Sequence, residues 1–204
     1  MIGCFFCLEG LDGTGKTTQC RLLADWLRQQ GYTVVSAVDP GGTPVGQEIR
    51  HILLTSRHDL APACEALLFM ASRAQLVAQV IQPALQAGHV VVCDRFVTST
   101  LVYQGYAGGL DVEQLRGVAQ LAVPASLWPQ RIYLLDLPVA EAQTRRSRQP
   151  DRIEGRGQEY YEKVRQGFLA EAQRDPARFR ILDARGSIDE VQALLRSDLR
   201  EWLP

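Results

Sequence analysis

Several residue types and patterns are scarce or absent in this sequence. It contains no asparagine, only two lysines against twenty arginines, and no excess of either charge, since the formal net charge is −1. The balanced charge gives no support to a broad nucleic-acid-binding face. No uninterrupted apolar run reaches the roughly 18 residues of a membrane span, and the first residues lack the positive charge of a secretory signal. We therefore expect a cytoplasmic protein without a nucleic-acid or membrane partner.

The five cysteines lack the spacing of a disulfide framework. Cys4 and Cys7 have the spacing of a metal or redox pair, but they lie in an apolar run that predicts a strand. Residues three apart on a strand face opposite sides, so we interpret the cysteines as packing residues. The composition, with 46% hydrophobic and 22% charged residues, excludes a disordered chain, a collagen-like repeat and a coiled coil.

Apolar runs alternate along the chain with amphipathic segments of helical periodicity. The runs predict strands at 2–9, 33–38, 90–93, 132–137 and 180–183. The periodicity predicts helices at 17–30, 45–54, 62–86, 111–122, 158–174 and 188–202. Because such alternation forms βαβ units, we predict an α/β fold with a central parallel sheet flanked by helices, in one domain over 1–204. A ligand is expected at the carboxyl ends of the strands.

A glycine-rich segment follows the first predicted strand, with the sequence Gly10-Leu11-Asp12-Gly13-Thr14-Gly15-Lys16-Thr17. It matches the P-loop pattern and lies between a strand and a helix, as that pattern requires. The glycines let backbone N–H groups surround phosphate oxygens, where the helix N-terminus adds positive charge. Lys16 is expected to reach the β- and γ-phosphates, and Thr17 to offer its hydroxyl to Mg²⁺. This role explains a lysine at position 16 of an arginine-rich chain.

A P-loop indicates nucleotide binding and leaves the reaction open. Without asparagine the chain has no Asn-Lys-x-Asp guanine motif, which argues against a switch GTPase. A kinase needs cations that hold an acceptor phosphate close to the γ-phosphate. Arg95, which follows Asp94 at the end of a buried strand, is expected to reach the P-loop. Phe69 and Arg73 share one helix face and suit stacking on a planar base and bonding to its edge; the alternative is a core Phe69 with a surface Arg73.

The chain resembles the thymidylate kinase family over nearly its whole length. The resemblance rests on five segments in order: residues 9–18, Pro40-Gly41-Gly42-Thr43, Phe69-Met70-Ala71-Ser72-Arg73-Ala74-Gln75, residues 94–105, and Asp151-Arg152-Ile153-Glu154. It implies a P-loop kinase fold with a short mobile lid. It also implies transfer of the γ-phosphoryl group of Mg-ATP to dTMP, with dTDP made for DNA precursor synthesis, in a homodimer.

The resemblance further implies roles for the matching positions. The expected ATP-binding residues are Gly10, Leu11, Asp12, Gly13, Thr14, Gly15, Lys16, Thr17 and Thr18, with Thr17 and Asp94 holding Mg²⁺. On the acceptor side, Asp12 binds the 3′-hydroxyl, Phe69 stacks on thymine, Arg73 bonds its edge and Arg95 grips the phosphate. Ser99, Thr100 and Gln104 line the base pocket. Tyr103 favours deoxyribose by crowding the 2′ position, with ordinary core packing as the alternative.

An arginine-rich segment at about 143–157 is similar to the family's lid. Some family members carry an arginine in the phosphate loop, at the position that is Gly13 here, and others bring basic groups from the lid. This chain resembles the second kind, with Arg145, Arg146, Arg148, Arg152 and Arg156 clustered. We expect Lys16, Asp12, Arg95 and Arg152 to be catalytic, and Arg145 and Arg148 to bind ATP. The alternative is a solvated arginine-rich helix face.

The chain also departs from the family pattern. Val38-Asp39 stand where Arg-Glu is usual, and Gly108 stands where an arginine is common. Two other functions stay open at this point: a P-loop kinase for another nucleoside monophosphate or a deoxynucleoside, and a non-catalytic nucleotide-binding module.

Overall fold

The computed structural model describes residues 3–56, 58–145, 152 and 155–203. Over these residues the chain forms a five-stranded parallel sheet with the strand order β2-β3-β1-β4-β5. The strands are β1 (Phe5–Gly10), β2 (Val34–Val38), β3 (Val90–Asp94), β4 (Arg131–Asp136) and β5 (Phe179–Asp183). The predicted α/β fold with a parallel sheet is therefore confirmed.

Helices connect the strands and cover the sheet. They are α1 (Lys16–Gln29), α2 (Pro44–Thr55), α3 (Pro62–Leu76, continued through a π-helical turn to Gln86), α4 (Val97–Thr100, continued by a π-helical turn over Leu101–Tyr106), α5 (Val112–Ala122), α6 (Val139–Thr144), α7 (Gln158–Arg174) and α8 (Ile188–Leu199). Local signals fix several helix starts. Thr43 caps α2 by accepting from the Gly46 N–H, and Ser187 with Glu190 forms a capping box on α8.

The central strand β1 sets the position of the functional loops. All six of its residues are buried, as expected of a parallel strand that is covered on both faces. It pairs with β3 on one side and β4 on the other, with Leu8 opposite Asp94 and Gly10 opposite Leu135. Parallel neighbours end at the same edge, so the glycine-rich loop after β1 and the Asp94-Arg95 pair after β3 meet there.

Two helices of the structure were not predicted from the periodicity. Over Val97–Gly105 almost every side chain is buried, so the segment has no polar face and shows no amphipathic period. The short α6 follows Pro138 and spans only six residues, too few for a periodic signal. The last predicted helix also ends at Leu199 rather than at 202.

The helix Pro62–Gln86 is long and apolar enough, by length and composition, to cross a membrane, with a mean hydropathy of 1.3. Buried core helices meet the same criteria. Here Met70, Leu76 and Ile81 are buried in the core of the domain, and the same helix carries the buried charged residues Glu65 and Arg73. We therefore describe it as a core helix.

Candidate active site

The glycine-rich loop has the backbone geometry of a phosphate cradle. Gly13 and Gly15 adopt φ values of +94° and +91°, in the left-handed region that favours glycine. A Cβ on Gly13 would lie 2.1 Å from the carbonyl oxygen of Ala142, so the loop packs directly on the backbone of α6. No side chain fits at position 13 unless α6 moves.

Lys16 is buried at the start of α1. Its Nζ donates to the carbonyl oxygen of Leu11 at 2.6 Å and lies 4.0 Å from a carboxylate oxygen of Asp12. Burial lowers the pKa of Lys16 to about 8, and the nearby charge of Arg95 acts in the same direction. A phosphate at the loop would relieve this by supplying a negative charge to the ammonium group.

Thr17 and Asp94 form a hydroxyl–carboxylate pair next to the loop. The Thr17 hydroxyl donates to Oδ2 of Asp94 at 2.5 Å. Among the described residues, no group of three or more His, Cys, Asp or Glu side chains could hold a metal by itself. Mg²⁺ commonly takes one or two protein oxygens and completes its shell with phosphate and water, so this pair fits a metal that arrives with a nucleotide.

Arg95 lies against the phosphate loop, as the sequence predicts. Its guanidinium donates to the Gly10 carbonyl at 2.9 Å, to the Ser99 hydroxyl at 3.0 Å and to Asp12. It also lies over the Tyr103 ring, 5.2 Å from the centroid. Its backbone has φ +68°, which is uncommon for a residue other than glycine. The strand order thus brings a fixed cation to the mouth of the loop.

Glu9 holds this turn in place, although no sequence motif assigns it a role of its own. It is fully buried and accepts from the backbone N–H groups of Phe96 and Ser99 and from the Ser99 hydroxyl. Burial raises its pKa, which the charge of Arg95 and these hydrogen bonds oppose. A single carboxylate in an otherwise apolar strand was the signal that could have identified it.

Arg73 and Phe69 both come from α3. The alternative of a core Phe69 and a surface Arg73 is wrong: Arg73 is 1% exposed, while Phe69 is half-buried and lines the cleft. Arg73 pairs with Asp39 and donates to the Phe96 carbonyl and the Thr100 hydroxyl. The unusual Asp39 is therefore the buried partner of this arginine.

Tyr103 and Gln104 come from the same turn of α4. The Tyr103 hydroxyl donates to Asp12 at 3.2 Å, so the tyrosine both packs and lines the cleft. Gln104 is buried, and its Nε2 donates to Oε1 of Glu65 at 2.8 Å.

The arginines of the 143–157 segment contact two different regions. Arg145 donates to the carbonyls of Ala184 and Arg185, after β5, and lines the cleft. Arg152 donates to the Leu53 carbonyl at 2.8 Å and pairs with Glu65, which also pairs with Arg156. Arg145, Arg152 and Arg156 thus form hydrogen bonds or ion pairs with residues outside the segment, and they do not form a solvated helix face. The expected lid residues Arg146, Arg148, Asp151, Ile153 and Glu154 lie outside the described residues.

One cleft of about 590 Å³ connects these groups at the carboxyl edge of the sheet. Its lining includes Lys16, Thr17 and Asp94 from the loop region, Arg95, and Phe69 and Gln104 from α3 and α4. A phosphate loop on a parallel sheet that shares one cleft with a second, partly buried cation, Arg95, and with the rings of Phe69 and Tyr103 defines a P-loop kinase.

Comparison with known proteins identifies the family. The thymidylate kinase family model matches residues 8–195. The thymidylate kinase of Symbiobacterium thermophilum is 46% identical over 202 residues, covering 98% of this chain and 94% of the relative. The thymidylate kinase of Pelotomaculum thermopropionicum is 50% identical over 189 residues, with 90% and 87% coverage. The crystal structure of thymidylate kinase from Ehrlichia chaffeensis superposes with a TM-score of 0.82 at 30% identity, covering 98% of this chain and 100% of that one. The chain belongs to the thymidylate kinase family, as the resemblance implied.

Proposed function

We propose that the protein transfers the γ-phosphoryl group of ATP to dTMP, giving ADP and dTDP, and that the dTDP serves DNA precursor synthesis. The observation that carries the proposal is that Arg95, in one cleft, contacts both the phosphate loop at Gly10 and the Ser99 and Tyr103 side chains of α4. Two anionic substrates that meet end to end repel each other, and a fixed guanidinium at their junction offsets that repulsion.

On the donor side, the loop from Gly10 to Thr18 surrounds the phosphates of ATP, and Lys16 neutralises the β- and γ-oxygens. Thr17 and Asp94 hold Mg²⁺, which offsets charge on those oxygens. Arg145 binds ATP from the side of the loop at 184–186, to which it is hydrogen-bonded. Arg148 is proposed to bind ATP as well.

On the acceptor side, Arg95 binds the phosphate of dTMP and Asp12 binds the 3′-hydroxyl. Phe69 stacks on the base, Arg73 bonds to its edge, and Ser99, Thr100 and Gln104 line its pocket. Tyr103 fills the space that a 2′-hydroxyl needs. The tyrosine is suited to this because its hydroxyl is fixed on Asp12 and its ring by Arg95.

The transfer proceeds in line, without a covalent enzyme intermediate. An oxygen of the acceptor phosphate forms the new bond to the γ-phosphorus as the bond to the bridging oxygen of ADP breaks. Lys16 and Arg95 stabilise the charge on the equatorial oxygens. Arg152, which contacts Glu65 and the Leu53 carbonyl in this structure, is proposed to leave them and join Lys16 and Arg95 when the lid segment at about 143–157 closes and excludes water.

We further propose that the protein is cytoplasmic and acts as a homodimer. Three helices that pack side by side, α2, α3 and α5, expose large apolar side chains. These are Val45, Ile52, Leu67 and Leu121, the last of which is 89% exposed. Apolar side chains grouped on adjacent helices favour a protein partner, and a second copy of the chain is the simplest one.

A coupled ADP-release assay tests the proposed reaction. We expect turnover with dTMP above that with dUMP, dCMP, dGMP or thymidine. Lys16→Ala should lower the rate at least about a thousandfold while the fold is kept. Lys163→Ala, at the only other lysine, on the surface of α7, should leave the rate unchanged. A better acceptor than dTMP would show a kinase of different specificity, and ATP binding without acceptor-dependent ADP release would show a non-catalytic module.

A further inference from the structure

Glu65 on α3 is a buried carboxylate for which neither the sequence motifs nor the proposed reaction gives a use. It is 2% exposed, yet three groups converge on it from distant parts of the chain. Gln104 donates to its Oε1 at 2.8 Å, Arg156 approaches at 3.0 and 2.9 Å, and Arg152 pairs with its Oε2. Burying this carboxylate and ordering the side chains around it costs free energy of desolvation and of conformational entropy. We therefore asked what the cluster does.

The two arginines keep Glu65 ionised. Burial alone would raise the pKa of Glu65, but the hydrogen bonds from Gln104 and Arg152 and the charge of Arg156 outweigh it, and the pKa lies below its ordinary value. An ionised carboxylate has only acceptor atoms. The group of Gln104 that faces Glu65 must therefore be its NH₂ group.

This contact determines which end of the Gln104 amide remains for the cleft. A primary amide has an NH₂ end with two donors and an oxygen end that accepts, and the contact with Glu65 fixes the NH₂ end on the side of Glu65. Gln104 lines the same cleft as Phe69 and Thr100, the residues to which the proposed function assigns the base. The oxygen of the amide is therefore the group that Gln104 offers to a bound base.

We propose that Glu65 is a positioning residue that sets base specificity by fixing the orientation of the Gln104 amide. With its oxygen toward the cleft, Gln104 accepts from a ring N–H. Thymine and uracil carry an N–H at the 3-position, whereas cytosine has an unprotonated acceptor nitrogen there, so that two acceptors would face each other. This inference rests on the proposed function for the location of the base.

The same network links Gln104 to the arginine-rich segment. Besides Glu65, Arg156 donates to the Tyr160 hydroxyl at 2.6 Å, and that hydroxyl donates to the Tyr103 carbonyl at 2.7 Å. Arg152 and Arg156 thus support the Gln104–Glu65 contact and brace the backbone of the neighbouring residue. They act on the base through Glu65 without touching it.

Equilibrium binding of dTMP and dCMP, measured by calorimetry, tests the proposal without requiring turnover. Glu65→Gln replaces the carboxylate with an amide that can donate or accept. The Gln104 amide can then rotate by half a turn and present its NH₂ group to the base. We expect the ratio of the dCMP to the dTMP dissociation constant to fall at least about tenfold. Binding of ATP should change by less than about threefold, because the loop is untouched.

Glu171→Gln is the matched control. Glu171 is also buried and accepts from an arginine, Arg116, and from the Tyr106 hydroxyl, but it lies outside the cleft. Its replacement should leave the dCMP to dTMP ratio at the wild-type value. If Glu65→Gln keeps the wild-type ratio in a protein whose thermal unfolding is cooperative, the proposal is wrong.

A second variant keeps the test decisive if Glu65→Gln fails to fold. Gln104→Met leaves Glu65 with both arginines but removes the amide, so it should lower the ratio by a similar factor. In the double variant, Glu65→Gln should add no further change, because its effect passes through Gln104. Unaltered selectivity in Gln104→Met, or additive effects in the double variant, would overturn the proposal. Absence of ADP release in the wild type would instead count against the proposed reaction.

Discussion

At the scale of single residues, Arg95 shows how a side chain is fixed before any substrate binds. Its left-handed backbone costs on the order of 1–3 kcal/mol, and the turn is held by Glu9 through two backbone N–H groups and the Ser99 hydroxyl. The guanidinium is already held by Asp12, so under the proposed function an acceptor phosphate would meet a cation that is fixed in place.

Arg95→Ala should impair acceptor use far more than donor use. We expect the KM for dTMP to rise about a hundredfold, since a charge-assisted pair in a partly buried site contributes several kcal/mol. The KM for ATP should change by less than about threefold. Steady-state kinetics with each substrate varied in turn measures both KM values. The control is Arg174→Ala, which removes a surface arginine that forms an ion pair with Glu113. Equal weakening of the two substrates would contradict the assignment.

The buried Lys16 predicts proton uptake when ATP binds. Its pKa of about 8 in the free protein means that about half of the lysines are neutral at pH 8. Phosphate oxygens favour the charged form and raise the pKa, so the complex holds more protons than the free protein. At pH 8 we expect uptake of about half a proton per Mg-ATP, and an affinity that falls as the pH rises above 8.

Calorimetry in buffers of different ionisation enthalpy measures this uptake. Lys16→Met should abolish it, and Lys163→Ala should not. A proton count near zero in the wild type at pH 8 would show that Lys16 does not sense the phosphates.

The role of a residue was predictable where its partners are close in the sequence, and was not predictable where they are distant. Lys16 and Thr17 belong to one local pattern and were expected as phosphate-binding residues. The burial of Arg73 was not predicted, because its partners Asp39 and Thr100 lie on other elements. Glu65 was missed for the same reason: its role emerges only when α3, α4 and the 143–157 segment come together.

At the scale of elements, the strands were the most predictable part of the fold. Runs such as Val90–Asp94 are apolar because both faces of the sheet are covered, and their ends are marked by polar residues. Burial on all sides also explains why α4 was not predicted. Its residues are almost all buried, so its sequence shows no alternation of polar and apolar residues with a helical period. The helix that supplies Ser99, Tyr103 and Gln104 was therefore not predicted, and these residues were expected in the site only because residues 94–105 resemble the family.

The packing of the phosphate loop on α6 gives a matched pair of glycine variants. Gly13 and Gly15 have nearly the same positive φ, so alanine carries a similar strain of about 1–2 kcal/mol at either position. The two positions differ in the space for the new Cβ. A Cβ on Gly13 would lie 2.1 Å from the carbonyl oxygen of Ala142, whereas a Cβ on Gly15 would meet nothing within 4 Å.

Urea unfolding without nucleotide should separate the two variants. We expect Gly15→Ala to lower the free energy of unfolding by about 1–2 kcal/mol and Gly13→Ala by at least about 3 kcal/mol. Equal losses would show that the loop does not press on α6. The same contact explains why an arginine could not be added at position 13 without moving α6.

At the scale of the whole molecule, the strand order brings the residues of the candidate active site together. Asp12 and Arg95 are joined although 83 residues separate them, because β1 and β3 are neighbours in the sheet. The alternation of strands and helices predicts a parallel sheet and a ligand at its carboxyl edge, and both expectations agree with the cleft found there. The strand order itself was not predicted, since it depends on packing between elements that are distant in the chain.

The exposed apolar side chains of α2, α3 and α5 predict a homodimer that a single charge disrupts. Leu67 is 56% exposed on α3, the helix that packs against both α2, which carries Val45 and Ile52, and α5, which carries Leu121. Leu67→Glu would bury an unpaired carboxylate at a self-complementary contact, so we expect the dimer dissociation constant to rise at least about a hundredfold. Sedimentation equilibrium measures it, with Leu194→Glu as control, since Leu194 is 48% exposed on α8. A monomeric wild type, or a Leu67→Glu variant that stays dimeric, would rule out this surface as the interface.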